Sequence, residues 1–342
     1  MQVFIFGAGA SKGSQLSDAF AEDHRAPLVN DIFDPRYNSH AHNVHLPLSQ
    51  MEEYRNSLPP DGSLEEWLTD WWERSESAGR QRQHADKADF GRISFYMWQL
   101  FQAVSNTYSE NNLYRLLLKK IRASNSGDFG LISFNYDTLL DKAYQEVFGY
   151  PSGHSIEKYF EANFIKPHGS VNWFMLRRHL DPVVPGHIFV SDPGVRINIA
   201  SNSMYNGGEL PLANVVVMDP TDDAIKHLNF INSPVFQQTY FYPLILMPLS
   251  VKLYPLVAAF HGNVMQASKD MIAQATDIYL VGYRASDEIA NTMLSNAPDG
   301  THLHVVGTNS APGIMAAVLE KRKNLKKGKL YQDGFEGFVE KY

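Results

Sequence analysis

At 342 residues the chain is long enough for one large α/β domain or two smaller ones, and 44% hydrophobic and 20% charged side chains are globular values, not those of a disordered chain. A formal net charge of −7 argues against a general nucleic-acid surface while leaving room for a local basic patch. Cysteine is absent, which excludes disulfides, thiol nucleophiles and every cysteine-ligated zinc site.

The chain opens on Val3-Phe4-Ile5-Phe6, an apolar run of β-formers that meets Gly7-Ala8-Gly9-Ala10-Ser11 at once. A buried strand breaking into small residues lets the backbone approach a ligand, and a following helix turns its N–H groups toward a diphosphate. A tight strand-to-helix turn without a ligand reads the same way. The third glycine of the dehydrogenase fingerprint is missing: Lys12 stands in its place and Gly13 comes one residue late. An ordinary hydride-transfer domain is therefore disfavoured. No domain or signal peptide is expected ahead of this strand, and no apolar run approaches the ~18 residues of a membrane span. A cytoplasmic protein is the expectation.

Residues 14–25 read as polar and irregular, and 27–33 as the start of a helix with Pro27 in its first turn. Residues 34–60, rich in Pro, Asn and His, read as a loop or mobile lid. His40, His42 and His45 in that loop read more simply as solvated than as ligands, so no metal is expected. Ser63 and Glu66 have capping-box spacing ahead of a helix that puts Trp67, Leu68, Trp71 and Trp72 on one face, as core or subunit interface. Helices also fit 93–104 and 113–121, so 34–122 reads as a helical insertion.

Gly130-Leu131-Ile132-Ser133-Phe134 reads as the second buried strand, with Asn135-Tyr136-Asp137 at its C-terminal end and a helix over 138–148. Residues 164–167 lead into His168-Gly169-Ser170. From 177 to 238 the pattern decays into a variable insertion, β-rich where Val215-Val216-Val217 falls. Residues 242–247 return to the sheet, and a helix covers 255–275. The strand 277–281 ends in Gly282-Tyr283-Arg284-Ala285-Ser286-Asp287 and is followed by a helix to about 296. The strand 302–306, ending in Gly307-Thr308-Asn309, reads as the last, and a basic amphipathic helix over 313–327 closes the chain. Its Lys/Arg run reads most simply as a solvated face. Five apolar strands alternating with helices predict a doubly wound, Rossmann-like parallel sheet, a single domain over 1–342 carrying the two insertions.

The polar outliers gather just past the strand ends, the edge where open parallel sheets bind ligands. They are Gly7, Gly9 and Ser11, then Asn135 and Asp137, His168, Gly282, Ser286 and Asp287, and Asn309. Each has a plain alternative. Asn135 with Asp137, and Ser286 with Asp287, read equally as helix caps, and His168 as a satisfied turn histidine.

In this order the landmarks resemble the sirtuin-like family: a strand followed by Gly-Ala-Gly-x-Ser, an Asn-x-Asp at a strand end, a His-Gly, and a late Gly-Tyr-x-x-Ser turn. The segment 26–33 resembles the family's bacterial branch. The likeness frames residues 1–309 but skips 34–122 and 177–238. It implies that NAD is bound as substrate, with Gly7, Ala8, Gly9, Ala10 and Ser11 on the diphosphate. It gives Asn135 the water or ribose, Asp137 the carboxamide, and His168 the role of general base. Gly282, Ser286 and Asn309 fall on the adenosine side, and Asp287 pairs with Arg284 or caps a helix. Deacylating sirtuins carry a four-cysteine zinc module and a Gly-Ile-Pro-Asp-Phe-Arg segment. Here there is no cysteine, and Ser14-Gln15-Leu16-Ser17-Asp18 stands where that segment would be. The resemblance thus points to the NAD-degrading effectors of anti-phage defence: an NAD glycohydrolase, without zinc, homo-oligomeric or partnered by a subunit such as a DNA-translocating ATPase. A deacylase or ADP-ribosyltransferase, and an NAD- or ADP-ribose-binding regulatory subunit, are the alternatives.

Overall fold

The computed structural model of the chain describes residues 1–15, 22–40, 46–59, 62–124, 128–149, 155–178, 215–220, 239–249, 258–285 and 288–342. In chain order its elements are β1 (Gln2–Phe6), α1 (Ala8–Ser14), α2 (Leu48–Ser57), α3 (Leu64–Glu76), α4 (Arg80–Ser105), α5 (Leu113–Ala123), β2 (Phe129–Ser133), α6 (Leu139–Phe148), α7 (Glu157–Glu161), β3 (Phe164–Ile165) and β4 (Gly169–Arg178). There follow β5 (Val215–Val217), β6 (Thr239–Ile245), α8 (Ala258–Ile272), β7 (Asp277–Val281), α9 (Glu288–Leu294), β8 (Thr301–Val306), α10 (Ala311–Lys321), β9 (Leu325–Tyr331) and α11 (Gly334–Lys341). Two compact units result: Met1–Leu28 with Ala103–Ser170 and His261–Tyr342, and Val29–Gln102 with Val171–Phe260. No described helix is long and apolar enough to cross a membrane.

The first unit holds a six-stranded sheet in the order β3-β2-β1-β7-β8-β9, every pair parallel. Strands covered on both faces read as unbroken apolar runs, and Val3, Phe4, Ile5 and Phe6 are fully buried. One face carries a ring ladder across three strands. Phe4 stacks on Tyr279 at 4.8 Å, and Tyr279 on His304 at 4.4 Å. Helix α11 covers it with Phe338 and Tyr342. Strand order reverses beside β1: the chain runs outward through β2 and β3, then returns to β7 on the other side and proceeds to β8 and β9.

The second unit holds an antiparallel sheet in the order β5-β4-β6, with Trp173 opposite Val217. It also holds α2 and α3, where the three tryptophans find ring partners. Trp67 packs on Tyr54 and Trp71, while Trp71 and Trp72 pack on Phe90.

Several expectations change. Residues 242–247 do not return to the parallel sheet: β6 belongs to the small antiparallel one. The basic helix expected over 313–327 is helix only as far as Lys321, where α10 ends, and β9 follows as an edge strand. Exposed Lys326, Lys327 and Lys329 there discourage further strand pairing. The stretch 34–60 contains a 3-10 turn over Pro35–His40 and all of α2. The helix expected from 27 is a 3-10 turn, Val29–Asp31. Ser63 is the N-cap of α3 but makes no side-chain cap bond, and Asn30 Oδ1 accepts the Leu64 N–H at 3.1 Å instead. His42 and His45, and most of 177–238, lie outside the described residues.

His304 is held on three sides. Its Nε2 lies 3.0 Å from Asp277 Oδ1, its Nδ1 accepts the Lys329 N–H at 2.9 Å, and Tyr279 covers its ring. Burial holds the imidazole below its ordinary value of 6.5, against the pull of Asp277. A lowered folded-state value means that the folded chain binds this proton less readily than the unfolded one. Stability from this source is therefore full above 6.5 and declines as pH falls through 6.5 toward the lowered value. Urea unfolding at pH 7 and pH 5 should show a larger acid loss for the parent chain than for His304→Gln. Equal losses would exclude His304 as the titrating group.

Candidate active site at the carboxyl edge of the sheet

Gly7 follows β1 directly and caps α1. Its N–H donates to Val281 O at 3.1 Å, and the Gly9 N–H donates to Gly282 O at 3.1 Å. The two glycine turns thus lie backbone against backbone where strand order reverses. A Cβ on Gly9 would sit 3.0 Å from Gly282 O. One on Gly282, at φ +57°, would sit 2.2 Å from Ala10 N. Glycine here permits close approach of two chain segments. The Gly9 amide expected to face a diphosphate is spent on Gly282, and that of Ala10 on Gly7 O at 2.8 Å. Ala8 is half-buried at the first position of α1.

Asn135 lies two residues past β2 and points back at the opening turn. Its Nδ2, which carries two protons, lies within hydrogen-bonding distance of three acceptors, Gly7 O at 3.0 Å, Ser11 Oγ at 2.9 Å and Tyr114 Oη at 3.1 Å. The Ser11 and Tyr114 hydroxyls are 3.0 Å apart. Burial holds the Tyr114 hydroxyl well above its ordinary pKa, and the Asp137 charge adds to this. Asp137 Oδ1 accepts the Leu139 N–H at 3.1 Å, so it caps α6, while its Oδ2 is buried without a hydrogen-bond partner in good geometry. Burial pushes this carboxyl above the ordinary range, opposed first by the Lys166 ammonium and then by the Ser11 hydroxyl.

His168 sits at the third position of a four-residue turn closed by the Gly169 N–H on Lys166 O at 3.0 Å. Pro167 occupies the second position, which suits its fixed φ, and Gly169 takes φ +79°. The imidazole meets Phe134 edge-on at 4.9 Å and Tyr136 nearly parallel at 6.0 Å. Phe134 stacks on Tyr283 at 4.4 Å. The site is closed: Asn135, Asp137 and His168 are 7%, 2% and 9% exposed.

The fold therefore gathers Gly7, Gly9, Ser11, Asn135, Asp137 and Gly282 about the reversal point, with His168 reached through Phe134 and Tyr136. Asn309 lies three residues past β8, exposed in the turn before α10. Ser286 and Asp287 lie outside the described residues. Ala285 before them holds φ +51°, strained for a residue with a Cβ. Among the described residues no group of three His, Cys, Asp or Glu side chains could hold a metal ion.

Sequence reading missed four contributors: Phe134, Tyr283, Tyr114 and Lys166. Tyr114 carried no signal, being one apolar-face residue of an amphipathic helix. Lys166 did carry one, a lone cation between apolar Phe164-Ile165 and Pro167.

The chain matches no family model and no curated protein. Among solved structures it is similar to Sir2Tm bound to a propionylated peptide, at 14% identity and TM-score 0.40, covering 100% of this chain and 91% of that one. It is also similar to a structure on the basis of sirtuin substrate affinity, at 13% identity and TM-score 0.43, covering 100% and 92%. A third is Sir2 with an inhibitor, 2'-O-acetyl-ADP-ribose and a deacetylated peptide, at 13% identity and TM-score 0.40, covering 100% and 91%. Similarity at such values decides neither fold nor chemistry; strand order and side-chain geometry carry both.

Proposed function

We propose that the chain is an NAD glycohydrolase, cleaving the nicotinamide–ribose bond to give nicotinamide and ADP-ribose. The observation that carries this reading is the buried cluster of Asn135, Asp137 and His168 past the carboxyl ends of a parallel sheet. That sheet, ordered β3-β2-β1-β7-β8-β9, has the strand order of dinucleotide-binding folds; Asn135 lies against the opening turn where the order reverses, and His168 follows the outer strand β3. Asp137 Oδ2, a buried acceptor with no partner in good geometry, fits the donor of a carboxamide. The C–N bond breaks with its electron pair going to the pyridinium nitrogen, which leaves as neutral nicotinamide. The ribose carbon becomes oxocarbenium-like and takes up water. His168 accepts the water proton, as an imidazole near neutral pH can. Asn135 orients the water or ribose.

Deacylation, which needs an acyl-lysine groove, is the weaker reading because a chain with no cysteine cannot build a cysteine zinc module beside one. A regulatory NAD- or ADP-ribose-binding subunit is favoured by one observation: Asn135 and the Gly9 amide are both occupied by internal bonds. The same occupation suits an enzyme held off until triggered. The reading extends to a cytoplasmic effector of anti-phage defence, assembled as a homo-oligomer or with a partner such as a DNA-translocating ATPase. The tryptophans of α3 do not support that assembly, since each has a ring partner in its own unit.

Chromatography of NAD incubated with the purified chain, with and without an acetylated peptide, should show free nicotinamide and ADP-ribose in both arms. Acetyl-ADP-ribose in the peptide arm alone would establish deacylation instead. Tight NAD binding with no turnover, under triggering conditions as well, would establish the regulatory reading.

A further inference from the structure

Lys166 is fully buried, as is its ion-pair partner Asp141. An ammonium placed there must find an acceptor for each of its three protons or bear the cost of lost hydration. It finds three: Asp141 Oδ2 at 2.9 Å, Ser170 Oγ at 2.6 Å and the main-chain oxygen of Asp137 at 2.7 Å. Ser170 in turn donates to the main-chain oxygen of Tyr136 at 3.3 Å. The remaining Asp141 oxygen accepts the Tyr159 hydroxyl at 2.7 Å. The lysine thus ties together two segments that otherwise meet through the Tyr136–His168 ring contact. Residues 135–137 form the turn after β2, and residues 166–170 form the turn carrying His168. Two main-chain oxygens of the first turn are held by the second, that of Asp137 by Lys166 itself and that of Tyr136 through Ser170. The helix α6 is held through Asp141.

A buried ion pair is weak evidence of added stability, because well-packed apolar groups often do as well, whereas removing one partner alone leaves an uncompensated charge. What apolar groups cannot reproduce is the directed contact between the two turns. We infer that Lys166 is a positioning residue, setting the Asn135–Asp137 turn at a fixed distance from His168 so that orienting groups and general base address one substrate. The assignment rests on the glycohydrolase reading for its consequence, not for its geometry.

The double variant Lys166→Met/Asp141→Asn removes both charges together, so that no lone charge is buried, and leaves Tyr159 an acceptor. It should melt within a few degrees of the parent. Backbone amides of 135–138 and 168–170 should exchange with solvent at least tenfold faster. The His168 ring resonance should broaden or split, and kcat for NAD should fall about a hundredfold with KM changed less than threefold. Parental exchange and a parental His168 resonance would overturn the inference whatever the activity. A parent that never cleaves NAD would overturn the glycohydrolase reading, while exchange and the ring resonance still decide the positioning role. Should the double variant not fold, Ser170→Ala removes the Tyr136 link and the Ser170 acceptor of the ammonium while leaving the Lys166 bonds to Asp141 and Asp137 in place. Faster exchange at 135–138 in that variant supports the assignment, and unchanged exchange overturns it.

Discussion

His168→Ala should cost about 10²–10⁴ in the rate of NAD cleavage, the usual range for a lost general base, while leaving a folded protein that still binds NAD. Among the contacts it gives up are ring contacts with Phe134 and Tyr136, a favourable pair of which adds about 0.5–1.5 kcal/mol beyond the area it buries. Truncating a side chain only 9% exposed also leaves a cavity, so melting should fall while the fold survives. Asn135→Ala should act through hydrogen bonds instead. Its amide bonds Gly7 O and the hydroxyls of Ser11 and Tyr114. Gly7 O keeps the Ala10 N–H and the two hydroxyls keep each other, so what is lost is buried hydrogen bonds at about 0.5–1.5 kcal/mol each. Stability and activity should fall together in that variant. Single-turnover rates, calorimetric NAD titration and melting curves on the two proteins separate the roles. A His168→Ala protein within twofold of the parent rate would remove the imidazole from the mechanism.

Gly282→Ala should be among the most destabilising single changes in the chain. The backbone at φ +57° disfavours any side chain by about 1–2 kcal/mol. The new Cβ would also lie 2.2 Å from Ala10 N and 2.5 Å from Gly9 C, which are backbone atoms that no rotamer change can move. With overpacking at about 1–3 kcal/mol, the total is about 2–5 kcal/mol in urea unfolding. Gly13→Ala is the control: its Cβ meets Phe335 Cβ at 3.5 Å, an ordinary contact, and the change should stay within about 1 kcal/mol. If Gly282→Ala also stays within 1 kcal/mol, the two glycine turns are not in the close contact described. Gly9→Val is a poor probe of cofactor binding for the same reason, since it presses on Gly282 O before it meets any ligand.

What was legible in the sequence follows a simple physical line. Strands β1, β2, β7 and β8 are buried on both faces, so their apolar runs had no other reading. The site residues past their ends stood out because polar groups there serve no core. Strand β9 was misread because an edge strand needs little apolar surface: only Leu325 is buried, and its lysines look helical as readily as extended. Helix α2 was hidden because Met51 and Tyr54 are its only buried residues, too few to set a period. Strand β6 was found but assigned to the wrong sheet, because local pattern does not name a partner. The same limit hid Asn30 as the group capping α3, and Lys166 as the tie between two turns. Each depends on a contact that exists only after the chain has closed over long distances.

The central strand carries a consequence for synthesis. Strand β1 is flanked by β2 on one side and β7 on the other, with Gln2 opposite both Phe129 and Asp277. On a ribosome adding about 5–20 residues per second, β2 emerges well before β7, and the interval is on the order of ten seconds. Throughout it, Val3 to Phe6 present an open, wholly apolar edge whose proper neighbour has not been translated. Such an edge invites pairing with any other extended segment, and contacts this distant in sequence form slowly even in a finished chain. Nascent and prematurely terminated chains should accordingly be the aggregation-prone and chaperone-dependent forms of this protein, with translation past residue 281 as the point at which the hazard ends.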